Sequence, residues 1–162
     1  MPAMPKVDPL HELEHDHGHL TRLVFELRDQ LHEAAAKDPH EAHAALVETI
    51  HALGEDLVEH FAREEEGLFP FVSEAVPDLR DNVQRLSAAH DTVCGAILRM
   101  RHAVGEDSSA FAARIPSLLA LHERFDVAYA EHSREERALL DDLKSRLDPD
   151  ARRTLATLLQ GL

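Results

Sequence analysis

A single cysteine, Cys94, occurs among the 162 residues. No internal disulfide framework can form, and such a chain suits a reducing cytosol. Glycine and proline are scarce, at six and eight residues, which argues for a helical globular chain rather than a disordered one. No apolar run approaches the roughly 18 residues of a membrane span, and no charged-then-apolar leader follows Met1. The expectation is a cytoplasmic protein without a membrane partner. Positive charge is also short: 17 basic residues face 31 acidic ones, a formal net charge of −14. That balance disfavours nucleic acid and anionic membranes as partners. Histidine, by contrast, is abundant, with 13 residues. At this length one ordinary domain with a full core is expected.

Apolar residues recur at steps of three and four, the period of amphipathic helices. Met1 to Pro9 reads as a flexible tail, with Asp8 as N-cap and Pro9 at the first helical position. The first stripe runs Leu10, Leu13, His17, Leu20, Val24, Leu27, Leu31, and its helix is predicted to end near Lys37. His15 and His19 lie about 200° to either side of His17 and should face solvent. After a short connection at Asp38-Pro39, a second helix is predicted from about Glu41 to Phe69, closed by Pro70. Its stripe reads Leu46, Ile50, Leu53, Leu57, His60, Glu64, Leu68, Phe71. Asp78 is the expected cap of a third helix, with stripe Leu79, Val83, Leu86, His90, Val93, Ile97, Met100, Val104. The fourth stripe is Ile115, Leu118, His122, Phe125, Tyr129, His132, Glu136, Leu139, Leu143. Asp148-Pro149 starts a short amphipathic C-terminal helix over residues 146–162. The predicted fold is all-α: an up-and-down four-helix bundle over residues 10–145, with that short helix packed upon it.

Polar residues on buried stripes are costly unless paired or bound to a metal. His60 and Glu64 stand one turn apart on one face, about 6 Å along the axis, and His132 and Glu136 repeat the arrangement. Each pair is preceded by a lone stripe histidine, His17 and His90. With antiparallel neighbours joined by short loops, all six fall at one level of one core. The fourth helix meets this condition if Pro116 opens its main part and Ser109 to Ile115 form a separate turn. Four imidazoles and two carboxylates suit iron, manganese or zinc better than thiolate-demanding ions. Two such carboxylates can each bridge two ions, with two histidines left to terminate each. Tyr129, one turn before His132, is placed to donate to a metal-bound oxygen species or simply to pack. Cys94 reads as a small buried hydrophobe and His122, about 15 Å from His132, as a hydrogen-bonded core histidine. Glu65, Glu66, Glu131 and Glu135 read as solvated groups or as supports for ligand imidazoles.

The pattern His17, His60-x-x-x-Glu64, His90, His132-x-x-x-Glu136 resembles the hemerythrin-like (HHE cation-binding) family. The segments Asp16-His17-Gly18-His19-Leu20 and His60-Phe61-Ala62-Arg63-Glu64-Glu65-Glu66-Gly67-Leu68-Phe69-Pro70 carry the likeness, which covers about Leu10 to Leu143. The resemblance implies two iron ions with an oxo or hydroxo bridge, in a monomer or homodimer. His17 and His60 would hold one ion, His90 and His132 the other, with Glu64 and Glu136 bridging. Oxygen-carrying hemerythrins have two histidines one turn apart on the third helix and an aspartate bridge on the fourth. Here Leu86 and Cys94 flank His90, and Glu136 takes the bridge. That departure implies open coordination positions on the ion held by His90 and His132, favouring reaction over storage. It is closer to catalase-like mycobacterial proteins, iron-sulfur-centre repair proteins and an iron-sensing ubiquitin-ligase domain. The cysteine-containing domain of the repair proteins is not found. The expected ligands are O2, peroxide or NO. Catalase-like peroxide removal is the leading expectation, ahead of sensing or oxygen carriage and of a di-iron oxygenase with a small organic substrate.

Overall fold

The computed structural model describes residues 8–162, so the predicted tail before Asp8 lies outside the described residues. The fold is all-α. Helix α1 spans Pro9–Ala36 and α2 spans Pro39–Arg63. A π-helical turn, Glu64–Leu68, leads directly into α3, Phe69–Ala75. A 3-10 turn, Pro77–Leu79, precedes α4 (Arg80–Val104), and a second, Ser108–Ala110, precedes α5 (Phe111–Arg146). The last helix, α6, covers Pro149–Gln160. α1 packs against α2 and α5, α2 against α4, and α4 against α5, the cyclic order of an up-and-down bundle.

Three helices begin at an Asp-Pro pair. Asp8 accepts from the Leu10 amide at 3.0 Å, Asp38 from His40 at 2.9 Å and Asp148 from Ala151 at 2.7 Å. Each cap contributes about 1 kcal/mol, and proline at the next position gives up an amide hydrogen that the helix does not use. α2 therefore starts at Pro39, two residues before the predicted Glu41. Asp78 does not cap the third bundle helix; the cap position of α4 is Leu79, without a side-chain bond. Asp78 instead receives two hydrogen bonds from Arg146, at 2.7 and 2.8 Å, tying the α4 start to the α5 end.

Two proline expectations are corrected. Pro70 does not end the helix, because the π turn has already changed the hydrogen-bond register. The Phe69 amide bonds Glu64 O, five residues back. A proline at the start of α3 then gives up an amide at a point where the ladder is interrupted anyway. Likewise α5 runs unbroken from Phe111, with Pro116 in its second turn. The carbonyl deprived of a partner belongs to exposed Ala112, which water can satisfy. Phe111 is fully buried and meets the His43 ring edge-on at 4.9 Å. His43 Nε2 in turn donates to the carbonyl oxygens of Val104 (3.0 Å) and Gly105 (3.2 Å). Gly105 closes α4 with φ +64°, a conformation that favours glycine.

The apolar core is divided in two. One part gathers Leu27, Leu31, Leu46, Ile50, Met100, Val104, Phe111 and Leu118; the other gathers Leu10, Leu13, Leu68, Val72, Leu86, Leu140, Leu143 and Leu155. Burying each of these side chains contributes roughly 1.5–3 kcal/mol. The polar stripe residues occupy the layer between the parts. Leu13 lies in one cluster and Leu20 in the other, with His17 between them; Leu86 and Val93 flank His90 in the same way.

Candidate metal centre

The π turn sets the register of the layer. Its extra residue shifts the buried face by one beyond Glu64, so Phe69 and Val72 are buried and Phe71, expected on the stripe, is only half-buried. Phe69 thereby reaches the His90 ring, stacked at 5.3 Å between centroids. Phe61 stacks on the same ring at 3.8 Å and meets His132 edge-on at 5.1 Å. On the far side Tyr129 lies parallel to His17 at 5.8 Å. Aromatic walls thus fix the planes of the imidazoles.

All six stripe donors converge. His17, His60 and Glu136 form one group, and Glu64, His90 and His132 another, with the donor atoms of each within 4.8 Å of one another. Glu136 touches both groups: Oε1 lies 3.2 Å from His60 Nε2, while Oε2 lies 3.1 Å from His17 Nδ1 and 3.0 Å from His132 Nε2. Glu64 does the same, with Oε1 3.2 Å from His60 Nε2 and Oε2 2.8 Å from His90 Nε2. Both carboxylates are essentially without solvent exposure. Each thus reaches donors of both groups.

The donor geometry fits a cation. Both Glu64 oxygens, His90 Nε2, both His17 nitrogens, both His132 nitrogens and Glu136 Oε2 are buried without hydrogen-bond partners. Leaving such atoms unpaired costs about 1–3 kcal/mol each. They nevertheless approach one another closely, so they point at shared positions rather than at each other. His90 makes the case sharpest. Its Nδ1 donates to Glu65 Oε1 at 2.7 Å, and Glu65 is held by the Ser87 hydroxyl at 2.9 Å. That bond leaves a lone pair on Nε2, facing a carboxylate oxygen 2.8 Å away. Two acceptors so close need a positive charge between them. With metal–ligand bonds of about 2.1 Å, adjacent octahedral donors stand about 3.0 Å apart, the spacing seen here.

In the metal-free chain His60 carries positive charge into the layer. Burial alone would push His60 down, but Asp16, Glu136 and Glu64 outweigh it, and its pKa is pushed up to about 12. Burial would raise the Glu136 carboxyl, yet the imidazoles of His132, His17 and His60 hold it well below the usual carboxylate range. The raised His60 value stabilises the metal-free fold fully below its unfolded pKa near 6.5, and this is lost only as pH climbs towards 12. At pH 7 an ion must therefore displace at least the His60 proton. Loading weakly buffered protein should release at least one proton per chain, read with a pH indicator. Affinity should rise about tenfold per pH unit for each proton displaced.

Other expected residues fall as follows. The Tyr129 hydroxyl shares a 3.0 Å hydrogen bond with Thr21, and burial pushes the phenol up, so it keeps its proton. Cys94 is half-buried against the apolar core, and burial pushes its thiol up. His122 is buried elsewhere on α5, but its Nε2 has no hydrogen-bond partner, unlike the bonded core histidine expected. Burial lowers its pKa. His15 and His19 are exposed, as are Glu66, Glu131 and Glu135. Of the four flanking glutamates, Glu65 alone is shown holding a site imidazole. Sequence reasoning passed over Asp16, whose Oδ2 lies 3.9 Å from His60 Nδ1 and takes a 2.5 Å bond from Arg63. Its place directly before His17 was the available signal.

This constellation agrees with a family-level comparison. Residues 8–140 match the hemerythrin HHE cation-binding domain. The chain belongs to this family. It is a metal-binding protein of the hemerythrin type, and the His/Glu groups of the polar layer are the donors suited to hold the metal. No curated protein and no solved structure matches the chain significantly. No described helix is long and apolar enough to cross a membrane.

Among the described residues, two clefts that touch the layer border its His17/His60/Glu136 half. A cleft of about 330 Å³ between α1 and α5 is lined by His17, Gly18, Thr21, Glu136 and Leu140. Phe61 and Phe69 stack on the ring of His90, the residue expected to border the open position.

Proposed function

We propose that the chain is a non-haem di-iron protein that removes hydrogen peroxide, two molecules of peroxide giving two of water and one of dioxygen. One observation carries the reading: two triads, buried except for a half-buried His17, share two carboxylates that reach both, and a cleft leads from solvent to one of them. Two iron ions held by His17, His60, Glu64, His90, His132 and Glu136 would supply two electrons to an O–O bond and recover them from the next peroxide; manganese or zinc would fit the same donors. The chain's own work is to admit, orient and exclude. At about 330 Å³ the cleft admits small molecules such as peroxide, O2 or NO. Leu140 contributes apolar wall, and the Thr21 hydroxyl lies in the same lining. Thr21 is joined to the Tyr129 phenol at 3.0 Å, giving a path for a proton beside the His17 ring. Phe61 and Phe69 keep water off the His90 face. The single half-buried thiol of Cys94 suits the cytoplasm.

The test is peroxide turnover by iron-loaded protein, with oxygen release and metal content followed together. Many turnovers, one O2 per two peroxides, and iron retained are the expected result. Bleaching after one equivalent, with no oxygen released, would sink the proposal. A reversible spectral change with O2 alone would then make the same centre a sensor or carrier.

A further inference from the structure

The groove between α2 and α4 lies across the bundle from the α1/α5 cleft. Two large apolar side chains stay uncovered there: Val58 is 59% exposed and Leu98 61%. Scattered singly, such residues are ordinary. These two line one cleft of about 360 Å³ with Ile50 and Ile97. Gly54 joins the lining. A Cβ there would meet only Ile97 Cγ1, at 3.8 Å, an ordinary contact, and its φ is not positive. Nothing within the chain requires glycine in this helix interior, where alanine would be favoured. The absent side chain leaves a socket in the cleft.

Charge along the groove is divided by level. α2 and α4 run antiparallel, and the closeness of Gly54 to Ile97 sets those two residues level. Glu59 lies five residues further along α2, about 7.5 Å towards the metal centre. Arg101 lies four residues further along α4, about 6 Å towards the far end of the bundle. Arg114 lines that end as well. Of the carboxylates there, Asp107 is bonded to the Ser109 amide and hydroxyl, which leaves Glu106 against two arginines. Elsewhere Arg28, Arg63 and Arg146 are paired with Asp126, Asp16 and Asp78. Glu55, Glu59, Arg101 and Arg114 have no such partner among the described residues. Opposite free charges at nearly equal distances from an apolar middle are self-complementary about a two-fold axis.

We propose that the α2/α4 groove is a self-association surface whose occupant is a second copy of this chain, in an isologous dimer. Leu98 of each copy enters the socket over Gly54 of the other, beside Val58. Glu59 of each copy meets Arg101 of the other at both ends. The α1/α5 cleft, on the opposite side, stays open to solvent. A net charge of −14 on each chain opposes association when salt is low. The dimer is therefore sought at physiological ionic strength, where charges more than about 8 Å apart are screened.

The test is sedimentation equilibrium across a range of concentrations, on the chain as purified and again after metal loading. Twice the chain mass of 18.1 kDa is the expected result at the upper end. Leu98→Asp, at an exposed position, should keep the helical spectrum and stay monomeric where wild type is dimeric. Glu59→Arg and Arg101→Glu should each weaken association at least tenfold, and combining them should restore it, because the swap leaves both ends complementary. These charge variants keep the test open if Leu98→Asp does not fold. Cys94 lines the same cleft and serves as a probe: its reaction with a thiol reagent should slow several-fold as wild type is concentrated, but not in Leu98→Asp. Wild type that stays monomeric throughout overturns the proposal and leaves the groove to a different protein. A dimer that survives Leu98→Asp, or leaves Cys94 equally reactive, also overturns it, since another face would then hold the copies together. So does a charge swap that restores nothing.

Discussion

Glu136→Ala should strip metal from both halves of the centre together. The carboxylate approaches His17, His60 and His132, which belong to both triads, at 3.0 to 3.2 Å. Its removal takes a donor from each ion and leaves three buried imidazoles without their shared partner. Supporting residues behind ligands are worth about 10–100-fold in affinity, so a ligand to two ions should cost more than about 100-fold for both. The measurement is iron per chain after equilibration with a competing chelator. Loss of one ion, with the other held at wild-type affinity, would mean that Glu136 does not span the pair. Glu65→Ala gives the calibration: it frees the His90 ring without removing a donor and should fall within the 10–100-fold range.

The parts of this centre that were legible in the sequence are those that periodicity controls. His17 continues the step from Leu13 to Leu20, so its face follows from helix geometry alone, and the same holds for His60, His90 and His132. The Asp8-Pro9 and Asp148-Pro149 starts are local chemistry and were equally readable. The π turn was not, because nothing in Glu64-Glu65-Glu66-Gly67-Leu68 distinguishes it from an ordinary helical turn. The turn also carries a tertiary contact. α6 packs on this turn so closely that a Cβ on Gly67 would stand 2.7 Å from Leu159 Cδ2. Pro70 was misread because of the π turn, and Phe71 took the place of Val72 on the predicted stripe. Asp16 escaped as a neighbour of His60, and Glu65 was only one of four candidate supports, because pairing across helices depends on how each helix is rotated, which a one-dimensional pattern does not carry. The missing histidine beside His90 pointed to access on that half. The stacking of Phe61 and Phe69 on the His90 ring was not legible, because the bundle and the π turn bring them together.

Gly18→Phe should leave both metal sites filled and slow the reaction with peroxide at least tenfold. A glycine in the middle of α1 costs roughly 0.5–1 kcal/mol relative to alanine, and no backbone need excuses it, since its φ is not positive. Nor does a neighbour crowd it. A Cβ built on Gly18 meets nothing within 4 Å. The space is the α1/α5 cleft, where Gly18 sits beside His17, Thr21 and Glu136. An alanine there should therefore stabilise the helix by about 0.5–1 kcal/mol and change the reaction little, whereas a phenyl ring has the cleft to fill. The pair separates blockage from damage. Metal content and melting temperature are measured alongside the second-order rate constant for peroxide. Slowing in Gly18→Phe but not in Gly18→Ala, with equal iron in both, locates the route between α1 and α5. A Gly18→Phe protein that reacts at the wild-type rate would mean that small molecules reach the centre elsewhere. The groove beside His60, the other cleft that touches the six donors, would be the next place to obstruct.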